Sequence, residues 1–119
     1  MSAIAADHVN NPRNRGPLER FTHLGLVGSP GEGAFVQIWL IEDAQEPRKI
    51  TQAAYQTHGC IWSIACASVL VQLVIGRNVA QAQLIEPRDI ELVLGGIPEG
   101  KGEYAEMSVK ALRKAIGEL

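Results

Sequence analysis

The chain has 119 residues, 46% of them apolar and only 5% aromatic, with a formal net charge of −2. That length suits one compact domain, residues 1–119, with a single core. The charge offers no basic footprint for nucleic acid, and so few aromatic rings make no base-stacking platform, so no nucleic-acid partner is expected.

From the N-terminus, Ser2 is placed to cap a short helix over Ala3 to Asn10, which must stop before Pro12. The segment NNPRNRGPLER then reads as an irregular connection. Three strand-like runs follow: Thr22 to Val27, Ala34 to Glu42 and Lys49 to Thr57. In the second, Val36, Ile38 and Leu40 alternate with Phe35, Trp39 and Ile41, which suits a central strand; Gln52 and Gln56 make the third half exposed. The turn-rich GSPGEG and DAQEPRK connections predict antiparallel pairing of consecutive strands.

From Ile61 to Ile75 the pattern changes to a helix apolar on nearly all sides, which Gly76 can terminate in the left-handed conformation. Its run IACASVLVQLVIG is interrupted by Gln72 and falls short of the roughly 20 residues that cross a bilayer, so it predicts a core helix and no membrane span. Two short helices are expected at Val79 to Ile85 and Pro87 to Leu94, the second with proline in its first turn. A final amphipathic helix, Tyr104 to Leu119, buries Ala105, Val109, Leu112, Ile116 and Leu119, with Glu106 and Lys110 paired on its outer side. Strands first and helices after predict an α+β layer fold, a three-stranded antiparallel sheet packed against helices.

MSAIAADHVNNP has neither a basic leader nor an apolar stretch of the signal-peptide kind, so a cytoplasmic location with free thiols is expected. Both cysteines lie in THGCIWSIACAS. On one helix, six residues at about 1.5 Å rise would separate their backbones by roughly 9 Å, beyond the usual disulfide limit of about 7 Å. Cys60 falls where the third strand gives way to the helix, so its sulfur is expected to face the free N–H groups of the first turn, which favour thiolate; a small residue at a tight junction is the competing reading. Cys66, more than a turn inside the apolar helix, reads as a packed, inert thiol. His58 reads as a solvated strand residue, GSPGEG and GGIPEGKGE as turns, and no serine has the setting of a nucleophile. No Cys-x-x-Cys spacing marks a zinc site.

NPRNRGPL at 11–18, GLVGSPGEGAFVQIWL at 25–40, THGCIWSIACAS at 57–68, LGGIPEGK at 94–101 and ALRKAI at 111–116 occur in an order that resembles the NifU/IscU-type iron-sulfur cluster assembly scaffolds. The resemblance spans nearly the whole chain. It implies a three-stranded antiparallel sheet against helices and no turnover of a small molecule. It also implies assembly of a [2Fe-2S] cluster on three cysteines from separate loops, with a cysteine desulfurase supplying sulfur and acceptor proteins receiving the cluster. Thiolate suits that role because it is soft toward iron and sulfide.

The match breaks at two of the three cysteines. The family's Pro-x-Cys-Gly-Asp is here Pro30, Gly31, Glu32, Gly33, Ala34, and its Lys-x-His-Cys is Lys101, Gly102, Glu103, Tyr104. Cys60 keeps the second cysteine position, whereas Cys66 stands where the family usually has serine. Two readings follow. In one, Cys60, Glu32 and Glu103 hold iron or another divalent metal such as Zn²⁺, or a homodimer supplies a second Cys60 for a cluster; Lys101 lies at the rim of this site. In the other, the fold persists without a cluster as a partner-binding module or single-thiol sulfur acceptor.

Overall fold

The computed structural model describes residues 2–46 and 48–117. Its elements are α1 (Ala3–Asn10), β1 (His23–Gly28), β2 (Phe35–Glu42), β3 (Ile50–His58), α2 (Ile61–Val74), α3 (Val79–Ala82), α4 (Pro87–Leu94) and α5 (Glu103–Ile116). The sheet order is β1-β2-β3, antiparallel throughout, with Gly25 opposite Ile38 and Ile38 opposite Tyr55. The α+β fold and the central place of β2 are as expected. Leu119, expected to extend the last apolar stripe, lies outside the described residues.

Strand alternation sends Val36, Ile38 and Leu40 of β2 and Ala53 and Tyr55 of β3 into the core under α2 and α5, where all five are buried. Gly25 of β1 joins that face because nothing larger fits: a Cβ there would lie 2.0 Å from the Ala111 carbonyl oxygen and 2.7 Å from the Ala115 nitrogen. Small residues one turn apart on α5 thus bring helix and strand into backbone contact. On the opposite face, Gly16 of the N-terminal loop lies against Trp39 and Ala54.

Helix α2 is the hub, packed against β3, α1, α4 and α5, and ten of its residues are buried. It ends at Val74, with Gly76 at φ +89° in the left-handed region just beyond the Ile75 cap. Helix α3 is shorter than its pattern predicted. Leu84 and Ile85 continue only as three-residue turns, bonded to Gln81 and Ala82, because Pro87 pushes the preceding Glu86 into an extended conformation at φ −113°, ψ 158°. Glu106 and Lys110 are both exposed on α5, but no ion pair joins them among the described residues.

Ser68 of α2 ties down the N-terminal arm. Its hydroxyl accepts the Arg13 N–H at 3.0 Å and meets His8 Nδ1 at 2.8 Å. His8 is 3% exposed, and burial together with the nearby Arg13 guanidinium holds its pKa below the ordinary 6.5. The neutral ring can therefore accept the Ser68 proton at Nδ1. No helix among the described residues is long and apolar enough to cross a membrane.

Candidate functional site

Beyond Gly16, the N-terminal loop also closes the free edge of β3. The Gly16 N–H donates to the Tyr55 carbonyl at 2.7 Å and the Tyr55 N–H to the Asn14 carbonyl at 3.2 Å, so Asn14 to Gly16 run along the strand. This places Arg15 at an open pocket of about 540 Å³, lined by Arg15, Thr57, His58, Gly59, Cys60, Ile61, Ser63 and Ile64. The pocket sits where β3 ends and α2 begins. A thiol, an imidazole and a guanidinium line it together.

Cys60 is half-buried, unbridged, and the N-cap of α2. Its sulfur, however, accepts no hydrogen bond from the first turn. The bonds at this cap run to its carbonyl, which accepts the Ser63 N–H at 3.0 Å and the Ser63 hydroxyl at 2.7 Å. The expectation that the sulfur faces the first-turn N–H groups is corrected accordingly: with extended backbone at φ −107°, ψ −176°, the main chain makes the turn and the side chain is left to the pocket.

Tyr104 is the sulfur's neighbour. The tyrosine is 9% exposed and lies so close to Gly59 that a Cβ there would sit 2.9 Å from its ring. Hydrogen bonding with the Cys60 side chain, and then burial, push the Tyr104 phenol above its ordinary range. Gly59 is therefore what lets the aromatic ring reach the thiol. Cys66 contrasts with Cys60: it has no exposure, and burial, reinforced by Cys60 and Glu91, pushes its thiol up to about 12.

The other anticipated ligands are elsewhere. Glu32 is exposed at the tip of the β1–β2 loop between Gly31 and Gly33, both at positive φ. Glu103 is exposed as the first residue of α5, because a helix turns about 100° per residue and the inward position belongs to Tyr104. No group of three or more His, Cys, Asp or Glu side chains among the described residues is placed to hold a metal ion. Cys60, Glu32 and Glu103 thus do not form a ligand set in this arrangement. Nor does Lys101 line the pocket; the cation there is Arg15. Sequence reasoning passed over Arg15 because a loop residue shows no period, and only the bridge to Tyr55 reveals its direction. His58, read as solvated, is exposed but stacks on Phe35 with centroids 6.4 Å apart and planes at 17°.

A three-stranded meander, a buried central helix and a thiol presented at the strand-to-helix junction make up the α+β architecture of this chain. The family model of the NifU-like N terminal domain matches residues 2–119, and the chain belongs to that family. It is 32% identical over 111 residues to the iron-sulfur cluster assembly scaffold protein IscU 1 of Archaeoglobus fulgidus, covering 92% of this chain and 70% of that protein. It is 34% identical over 112 residues to the nitrogen fixation protein NifU of Cereibacter sphaeroides, covering 94% of this chain but 44% of that longer protein. The fold matches a proposed iron-sulfur cluster assembly scaffold protein for the SUF system of Fervidobacterium islandicum, with TM-score 0.69 at 17% identity over 98% of this chain and 96% of the other.

Proposed function

We propose that this chain serves iron-sulfur cluster assembly as a scaffold-like protein with one working thiol, Cys60, which accepts sulfur rather than holding a cluster alone. The observation that carries this reading is Tyr104: at the position of the family's third cysteine, a nine-tenths-buried phenol is packed against Cys60. A [2Fe-2S] cluster takes four soft ligands, and one chain supplies a single thiolate at this pocket. A cluster therefore does not fit these residues without ligands from a second molecule.

Sulfur transfer needs only one thiolate. The Cys60 thiolate attacks the outer sulfur of a persulfide on a cysteine desulfurase; an S–S bond forms at Cys60, the donor's S–S bond breaks, and the donor cysteine leaves as thiolate. The exchange balances without an added oxidant. Arg15 supplies positive charge at the pocket where the anionic persulfide would lie. Acceptor proteins would then take the sulfur by the same exchange in reverse, and no small molecule is turned over.

A metal-bearing reading rests on the openness of the Glu32 loop, where Cβ atoms at Gly31 and Gly33 would meet nothing within 4 Å. Iron or Zn²⁺ held by Cys60, Glu32 and Glu103 would require that loop and the start of α5 to close on the thiol. The test is anaerobic incubation with iron, free cysteine and a desulfurase, on wild type and Cys60→Ser, read by intact mass, visible absorption and metal analysis. One added sulfur atom on wild type alone supports the acceptor reading. Stoichiometric metal without added sulfur supports the metal reading instead, and neither product sinks both.

A further inference from the structure

Arg15 reaches the Cys60 pocket from an exposed loop and has no ion-pair partner among the described residues, so no salt bridge holds it there. What fixes it is the main chain just before it. Asn14 has φ +54°, a left-handed conformation that a non-glycine residue keeps only where its surroundings impose it. They impose it from two sides: the Arg13 N–H donates to Ser68 Oγ at 3.0 Å, and the Asn14 carbonyl accepts the Tyr55 N–H at 3.2 Å. Ser68 has no exposure and stands eight residues beyond Cys60, about 12 Å along α2 and outside the pocket lining. Its hydroxyl also meets His8 of α1 at 2.8 Å, and the buried Tyr55 phenol, which makes no full hydrogen bond, interacts weakly with it. One buried serine thus joins α1, the arm and β3 where the arm turns toward the thiol.

We propose that Arg15 sets the specificity of the Cys60 pocket, favouring anionic over neutral reagents, and that Ser68 is the positioning residue that keeps Arg15 there. Resting on the reading of Cys60 as sulfur acceptor, this names the donor the pocket favours: a persulfide anion rather than a neutral disulfide. A thiolate that attacks a persulfide anion brings two negative charges together, and two remain after the exchange, on the new persulfide and on the departing thiolate. The Arg15 guanidinium offsets that repulsion, and no such repulsion arises with a neutral donor.

Alkylation tests this without any sulfur chemistry. Cys60 is modified with iodoacetate and with iodoacetamide, and the ratio of the two rates isolates the effect of charge because the thiolate fraction cancels. In Arg15→Gln the ratio should fall about threefold or more from wild type, and added salt should shrink that difference. Ser68→Ala should bring a similar fall although it leaves the pocket lining intact, and combining it with Arg15→Gln should lower the ratio no further than Arg15→Gln alone. Unchanged circular dichroism checks that the buried-site variant folds. Asn14→Pro changes an exposed residue to one that cannot adopt φ +54°, so it displaces the arm without touching the core and should match Ser68→Ala. A ratio unmoved by Arg15→Gln overturns the specificity role. One that falls there but holds in both Ser68→Ala and Asn14→Pro overturns the positioning role. The sulfur-acceptor reading fails separately, when wild type incubated with a desulfurase and free cysteine gains no sulfur on Cys60, whatever the alkylation ratio.

Discussion

Helix α2 is buried along most of its length but meets solvent near both ends, and the two ends offer different chemistry. Its N-terminal end opens on a pocket where Cys60 stands with Arg15 and His58, polar groups drawn from a loop and a strand end. Beyond its C-terminal end, the surface is a leucine-edged groove with one charge of each sign. The first presents a thiol with a cation and an imidazole beside it, whereas the second presents mainly apolar side chains. A domain of this size keeps the two apart by running a single buried helix between them, and changes at one end should leave the other unmoved.

The largest expected effect separates the two cysteines. Burial that lifts the Cys66 thiol from its ordinary 9.0 to about 12 cuts its thiolate fraction at neutral pH by about a thousandfold relative to an ordinary thiol. Alkylation of the native protein should therefore stop at one modified cysteine, mapped by peptide mass to Cys60, and comparable labelling of Cys66 would break the distinction. Next is Gly25→Ala. With 2.0 Å from a Cβ to the Ala111 carbonyl, the variant should lose about 3 kcal/mol or more in urea unfolding, removing both ends together because it acts on the sheet beneath them.

Tyr104→Phe sharpens the comparison more gently. It keeps the ring against Gly59 and removes only the hydroxyl, so stability should change by about 1 kcal/mol or less while the rate of Cys60 alkylation shifts. Smallest is a pH effect in the N-terminal arm. His8 has a folded pKa below its ordinary 6.5, so it stays neutral in the fold while the unfolded chain takes up a proton first. Its contribution is intact above 6.5 and declines as the pH falls through 6.5 toward the folded value. Urea midpoints measured across that window should fall for wild type and fall less for His8→Gln.

Much of this was legible in the residues themselves. Ser2 caps α1 as its hydroxyl allows, accepting the Ala5 N–H at 3.0 Å, and α4 runs from Pro87 to Leu94 as proline at a first turn permits. Strand alternation placed Val36, Ile38 and Leu40 on one face, and an all-round apolar run marked α2 as the buried helix. These are signals of short range, set by steric limits on the backbone and by periods of two and 3.6 residues. The separation of Cys60 from Cys66 was of the same kind, because a junction and a helix interior differ within one turn.

What the residues in order could not supply was convergence. Whether Glu32 and Glu103 approach Cys60 depends on loop paths and on helix phase, and one residue of rotation put Tyr104 rather than Glu103 on the thiol. Arg15 joins the pocket only because a main-chain bridge to Tyr55 lays its loop along β3. The groove at the far end is assembled from α2, α3, α4 and their connections, none of which announces it alone. Local sequence determined the elements and the single retained thiol, because propensity and periodicity act over a few residues. Tertiary packing decided the company that thiol keeps, because contacts between distant segments follow from how whole elements bury their faces.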